Sequence, residues 1–307
     1  MPPTINREEP LAIVVTVCAV GIATFTAMDA IMKDVGTTLG AYNILFWRSA
    51  FCSFIGLAAM IVSRNRMPPR AARRLHMARG FFGLFSGLLF FWGLIRLPLA
   101  EAIALSFIAP LIALILAALI LREKLSYKAI LGAVLGFIGV LVIVSGRMSA
   151  VYTTETLISA AAMLLSALFY AMNLILQRQQ AQSCPPIEIA FFNNFIVLCL
   201  MLLVAPWFAT PPNATQWVLI GAAGMLQFIS LLCLSWAWGR AEAQQLLPIE
   251  YTAFIWAAIL GWIFFCESVT LSALAGTGLI VVGCVLAALA KQRIRSELQQ
   301  ANRATEC

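Results

Sequence analysis

Apolar residues run through this chain in ten long blocks, separated by short joints of charge and helix breakers. A helix needs about 20 apolar residues to cross the hydrocarbon core of a bilayer. The blocks predict spans at approximately 11–32, 40–62, 77–95, 99–120, 128–145, 156–177, 187–208, 215–238, 246–266 and 271–290. The joints include 64–74 with Pro68 and Pro69, 122–128, Cys184-Pro185-Pro186 and Pro211-Pro212-Asn213. No polar stretch is long enough for a separate soluble domain. The first block follows Arg7, Glu8 and Glu9 rather than a strongly basic segment, so it reads as a retained helix and not as a cleaved signal.

Composition agrees with the pattern. Of the 307 residues, 62% are apolar and 11% charged, against about 25% charged in a soluble domain. The net charge of +7 does not point to nucleic acid, because the basic residues sit in clusters between apolar runs. Counted by side, sixteen Lys and Arg alternate with three (Lys33, Arg96 and Arg147), and Arg48 lies inside a span. The positive-inside rule then predicts an inner-membrane protein with both termini in the cytoplasm. Eight cysteines show no CxxC spacing, and His76 is the sole histidine. Neither a metal site nor a Cys-His nucleophile is expected. HExxH, GxSxG and a Walker lysine motif are absent, so we expect no enzyme and no cofactor.

The sequence matches itself at a shift of 144. Ala23-Thr-Phe-Thr-Ala-Met-Asp-Ala-Ile31 resembles Ala167-Leu-Phe-Tyr-Ala-Met-Asn-Leu-Ile175, and Trp92, Arg96, Glu123, Gly132 and Gly139 meet Trp236, Arg240, Glu267, Gly276 and Gly283. Matched Trp, Arg, Glu and Gly at one constant shift indicate a true repeat. Five helices per repeat is an odd number, so the second copy must enter the membrane from the opposite side. The expected fold is all-α and integral to the membrane, with ten transmembrane helices in two inverted-topology five-helix repeats. The repeats would cover 1–148 and 149–292, followed by a cytoplasmic tail at 293–307. Inverted repeats place a substrate site near the midplane between the halves.

Two stretches carry a family resemblance. Ser106-Phe-Ile-Ala-Pro-Leu-Ile-Ala-Leu-Ile-Leu-Ala-Ala-Leu-Ile-Leu-Arg-Glu-Lys-Leu125 and Glu250-Tyr-Thr-Ala-Phe-Ile-Trp-Ala-Ala-Ile-Leu-Gly-Trp-Ile-Phe-Phe-Cys-Glu267 each end a helix with Glu before a short turn. A Gly-rich helix follows. In this the chain resembles the ten-helix EamA-type members of the drug/metabolite transporter superfamily, over nearly its whole length. Arg122 and Cys266 stand where the family usually has a small residue. The resemblance implies secondary transport of a small metabolite, by export or uptake. The Ala27-Met28-Asp29-x-x-x-Lys33 stretch is similar to members that take up cofactor-like metabolites such as riboflavin or S-adenosylmethionine.

Charges inside spans are costly and mark cavities or partners. Arg48 either binds an anionic or polar substrate group or pairs with Asp29. Asp29 and Glu250 are the candidates for proton coupling, and Glu250 follows the helix-breaking Pro248. Lys33 is expected to snorkel to the interface. Asn173, the repeat mate of Asp29, joins Asn193, Gln227, Glu250 and Tyr251 as a candidate substrate contact. Tyr170, Trp236 and Trp256 offer rings for a planar substrate, and Asn194 reads as interhelical glue. Glu123 and Glu267 read as structural, and Gly132, Gly136, Gly139, Gly276 and Gly283 as close-packing positions. The expected function is a secondary active transporter of a small polar or amphipathic metabolite, driven by protons or by exchange. A channel or scaffold is the alternative. Substrate readings divide between an exporter of amino acids or drugs and an uptake system for a cofactor-like metabolite. Its partners are the substrate, the bilayer and protons, and a homodimer is compatible with the sequence.

Overall fold

The structure is a computed structural model that describes residues 10–64, 68–97, 99–106, 108–121, 127–145 and 154–266, with residues 271, 275, 276, 278, 279, 282 and 283. All regular structure among them is helical. The elements are α1 (Leu11–Val62), α2 (Arg70–Leu94), α3 (Leu99–Ser106), α4 (Ile108–Ile120), α5 (Tyr127–Ser145), α6 (Thr154–Ser183), α7 (Pro186–Leu202), α8 (Ala205–Phe208), α9 (Ala214–Trp238), α10 (Ala243–Glu250) and α11 (Ala253–Phe265). Five segments are long and apolar enough to cross a bilayer: Leu11–Val62, Ala72–Leu94, Ile158–Ser183, Ala214–Trp238 and Ala243–Phe265. Ile108–Ile120, Ile130–Gly139 and Pro186–Leu202 are shorter apolar helices. Most of the expected tenth span, Glu123, Glu267, Arg147 and the tail lie outside the described residues.

Breakers in the sequence set the helix limits. α1 joins the first two expected spans and breaks at Gly40, where φ is 78° and ψ 161°. Only glycine adopts such a φ without a Cβ penalty. Pro69 and Pro185 precede α2 and α7 as N-cap residues in extended conformation. Asn213 starts α9 with a capping box: its side chain accepts from the Gln216 amide at 2.9 Å, and the Gln216 side chain accepts from the Asn213 amide at 2.8 Å. Two spans are longer than the hydrophobic blocks suggest. α2 starts at Arg70 instead of 77, and α6 continues to Ser183 instead of 177. The ninth span is broken, α10 ending two residues before α11 begins.

The shift of 144 reappears in three dimensions. α2 and α9 begin and end 144 residues apart, and so do α3 and α10. α1 packs on α9 and α2 on α6, two pairings that exchange under the same shift. Fine detail repeats too. Arg96 lies over the Trp92 ring at 4.1 Å and donates to the Trp92 carbonyl at 2.7 Å. Its mate Arg240 lies over Trp236 at 4.0 Å and donates to the Trp236 carbonyl at 3.1 Å. Gly283 approaches α5 so closely that a Cβ there would lie 2.6 Å from the Gly132 carbonyl. Large apolar side chains such as Phe54, Val62, Leu119 and Trp262 point outward, as a lipid-facing surface requires.

Three basic residues are not where the charge pattern suggests. Lys33 does not snorkel. It is buried, donates to the Leu97 carbonyl at 3.0 Å and lies 4.9 Å from the centre of the Phe265 ring. Arg178 is buried and donates to the Trp238 carbonyl. Arg178 thus places a cation at the carbonyl end of α9, where it is electrostatically favoured, whereas the Lys33 acceptor lies in the turn between α2 and α3. Arg79, counted with the loop charges, is 2% exposed in the interior of α2.

Candidate functional site

A cavity lies between the matching halves, walled by α1, α2, α3, α4, α6, α7, α9, α10 and α11. Its volume is about 160 Å³. Four ionisable groups of both signs face it: Asp29 and Arg48 from α1, Arg79 from α2 and Glu250 from α10.

Arg79 is the most fully hydrogen-bonded of the four. α6 presents Asn173, Gln177 and Gln180 along one face, and all three amide oxygens accept from its guanidinium. Nε donates to Asn173 Oδ1 at 3.3 Å, Nη2 to Gln177 Oε1 at 2.9 Å and Nη1 to Gln180 Oε1 at 2.9 Å. Asn173 Nδ2 returns a bond to the Arg79 carbonyl at 3.1 Å. Nothing in that set carries a negative charge. Neutral amides meet the donors while the positive charge stays uncancelled beside the cavity.

Arg48 has a poorer setting. Nη1 meets only the Met28 thioether, at 2.9 Å, and the guanidinium lies 5.0 Å from the centre of the Phe91 ring. Nε has no hydrogen-bond partner. The Asp29 pair considered for it does not form: the two make no contact within 4.0 Å, and Asp29 Oδ1 has no hydrogen-bond partner. Across the cavity Glu250 Oε2 accepts from the Tyr170 hydroxyl at 3.1 Å, while Oε1 has no hydrogen-bond partner. Buried polar atoms are nearly always paired in native proteins. Open oxygens on two carboxylates and an open guanidinium nitrogen, all around one cavity, are the atoms a ligand would satisfy.

Of the other expected contacts, Tyr170, Asn173, Asn193 and Gln227 line the cavity. Asn194 lines it too but donates to the Ala190 carbonyl of its own helix at 3.0 Å. Tyr251 and Trp256 do not line it. The Tyr251 ring packs on α5, where a Cβ added to Gly136 would lie 2.5 Å from it. Trp256 is 38% exposed, at the outer surface of α11. At 3.6 residues per turn, residues one and six beyond Glu250 point about 100° and 240° away from it, whereas Ala253, three beyond, shares its face and lines the cavity.

Sequence reasoning passed over Arg79, Gln177 and Gln180. The signal was there as spacing: Ser166, Tyr170, Asn173, Gln177 and Gln180 fall at alternating steps of four and three, one helical face. Beyond the cavity, His76, Cys184 and Glu188 bring ligand-type atoms within 4.8 Å of one another. Both ring nitrogens of His76 are hydrogen-bonded, to Glu188 and to Gln180. These bonds join α2, α6 and α7 in one buried polar network.

The EamA-like transporter family model matches residues 11–145 and again residues 157–289. The pseudopaline exporter CntI of Pseudomonas aeruginosa is 27% identical over 269 residues, covering 85% of this chain and 91% of that protein. An S-adenosylmethionine uptake transporter of Rickettsia prowazekii is 25% identical over 263 residues, covering 85% and 87%. One solved crystal structure superposes with a TM-score of 0.76 at 19% identity, over 90% of this chain and 98% of the other, a likeness of fold.

Proposed function

This chain belongs to the EamA-like transporter family, and from that premise we propose that it is a secondary active transporter that carries a small zwitterionic metabolite by alternating access. One observation carries the reading: a single cavity between two matching halves holds buried cations and carboxylates whose hydrogen bonds are incomplete. A carboxylate on the substrate would complete Arg48 and answer the charge of Arg79. An ammonium would complete Asp29 Oδ1 and Glu250 Oε1. Ten helices in two inverted repeats, 1–148 and 149–292, would let each half adopt the shape of the other and expose the cavity to each side in turn. The double family match, the common helix bounds and the odd number of helices per repeat support this.

The orientation follows from charge. Setting aside Arg79, Arg178 and Lys33, which are buried, leaves fourteen basic residues on one side and two on the other. That bias favours an inner-membrane protein with both termini in the cytoplasm. Asp29 and Glu250 are the groups that would exchange protons with the substrate cycle, and counter-exchange of one metabolite for another is the other driving mode.

The relatives include an exporter and an uptake transporter, so a direct flux assay sets the direction. Purified protein is screened for ligands that raise its melting temperature, and the hits are tested in proteoliposomes with an imposed pH gradient or with a trans substrate. Saturable, trans-stimulated flux is the expected outcome. Flux that neither saturates nor responds to substrate on the far side would identify a channel and refute the proposal.

A further inference from the structure

The chain's only histidine is fully buried near the cavity, and nothing in the transport scheme above uses it. Its Nε2 lies 2.9 Å from Glu188 Oε1, and its Nδ1 lies 2.9 Å from Gln180 Nε2. The position of the ring proton follows from a third residue. Arg79 Nη1 donates to Gln180 Oε1 at 2.9 Å. A guanidinium has no acceptor, so the Gln180 oxygen must face Arg79 and its NH2 must face His76. Nδ1 is then the acceptor. The single ring proton sits on Nε2, pointing at Glu188, and the imidazole is neutral.

This arrangement makes protonation incompatible with one bond of Arg79. A second proton can land only on the Nδ1 lone pair. Nδ1–H then meets the Gln180 NH2, donor against donor. The conflict ends when the Gln180 amide turns over and its oxygen accepts from Nδ1–H. Arg79 Nη1 then loses its acceptor, while Nη2 keeps Gln177 and Nε keeps Asn173. We propose that His76 is a proton-binding site of the transport cycle, and that loading it releases one edge of the Arg79 guanidinium toward the cavity. The inference rests on the transport reading above, and it adds a proton site outside the cavity to the carboxylates within it.

The groups set against His76 are few. Glu188 on α7 contacts Nε2 directly, and Arg79 on α2 reaches the ring through Gln180. Cys184, at the joint of α6 and α7, is the third titratable neighbour. Burial pushes its thiol up to about 11, so it stays neutral and does not compete for the proton. The Phe192 ring stacks on the imidazole at 4.8 Å and holds it in plane between its two partners.

A lone histidine makes the test direct. Protein labelled with 15N-histidine and purified without a histidine tag gives the signals of one ring. At alkaline pH we expect the Nε2–H tautomer, and on acidification the signals of a doubly protonated ring. Arg79→Met leaves the Gln180 amide free to turn over, so both ring tautomers should appear at alkaline pH. In proteoliposomes His76→Gln should abolish the response of flux to acid on the Glu188 side. The opposite tautomer, a ring that takes up no second proton on acidification, a single unchanged tautomer in R79M or a wild-type acid response in H76Q would each overturn the proposal. Wild-type protein with no saturable flux for any ligand would sink the transport reading instead, while the ring signals still decide whether His76 and Arg79 compete for Gln180.

Discussion

The first helices of the two halves share a frame and divide the chemistry. The inward face of α1 reads Ile22, Thr26, Asp29, Lys33, Gly36, and the corresponding face of α6 reads Ser166, Tyr170, Asn173, Gln177, Gln180. Each residue of the first set is 144 positions before its mate. α1 carries charge, with an open oxygen on Asp29 and a cation, Lys33, bound to the Leu97 carbonyl in the turn after α2. α6 carries neutral amides that hold Arg79. A repeated fold therefore does not entail a repeated site. The half that contributes Asp29, Arg48 and Arg79 answers one that contributes Glu250, whose mate is Ser106. An amide face suits a buried cation for a physical reason. It satisfies the donors without ending the charge, which a carboxylate face would do.

The largest test removes the cation that α6 was built to hold. Arg79→Met leaves three amide oxygens without a donor and withdraws a positive charge from the cavity. Each unmet buried acceptor costs about 1–3 kcal/mol, so we expect a lower melting temperature, and loss of the cation facing the cavity should cut substrate flux by roughly 100-fold or more. Wild-type flux in R79M would mean the amide face has no part in transport. The next test makes α1 like α6. Asp29→Asn matches its mate Asn173 and removes a proton site. Accumulation driven by a pH gradient should drop by roughly tenfold or more, about 1.4 kcal/mol in driving effect, while substrate exchange drops much less. Equal losses in both modes would assign Asp29 to binding and not to coupling.

The parts of this molecule that sequence revealed are those where one residue overrules its surroundings. Gly40, Pro69, Pro185 and Asn213 set helix limits because backbone geometry or a missing N–H leaves little choice. Asp29, Arg48 and Glu250 stood out because a charge in an apolar run needs a cavity or a partner. Arg79 escaped notice because it follows Arg70, Arg73 and Arg74 closely and was counted with them as a loop charge. Whether α2 is interior at that point depends on α6, whose amides lie about a hundred residues away in the chain. The polar face of α6 was legible as spacing, but hydrophobicity alone ended the helix at 177, before Gln180. Lys33 misled for a related reason: a long side chain can reach either the interface or a buried carbonyl, and only packing selects between them. Tyr251 lies in the joint between α10 and α11, and Trp256 lies in α11. α11 is apolar on every side, so its residues carry no period that marks an inward face.

Smaller effects belong to contacts that tune the cavity. Tyr170→Phe removes the one hydrogen bond to Glu250 Oε2 and keeps the ring in place. A bond to a carboxylate contributes about 1.5–3 kcal/mol when both partners remain buried. Water entering the cavity would replace part of it, so flux should fall by roughly fivefold, with the loss concentrated in the proton-driven mode. The mate of Tyr170 is Thr26, which bonds its own helix at the Ile22 carbonyl, 3.0 Å away. Thr26→Val should accordingly change coupling less than Tyr170→Phe does, and a larger effect at Thr26 would reverse the division of roles between the two helices.

The smallest effect is expected at Trp256. An aromatic ring in a transporter span invites a stacking role, and the sequence offers no reason to deny it one. Its position does: the ring is 38% exposed on the outer surface of α11 and lines no part of the cavity. A lipid-facing ring contributes packing against acyl chains, which any apolar side chain supplies. Trp256→Leu should therefore leave both substrate affinity and flux within about twofold of wild type, measured by ligand-induced shifts in melting temperature and by proteoliposome uptake. A tenfold loss of affinity would instead require the α10–α11 break to rotate Trp256 inward during the cycle. The hinge would then be a moving part that delivers a ring to the substrate, and the asymmetry between the halves would extend from their charges to their motions.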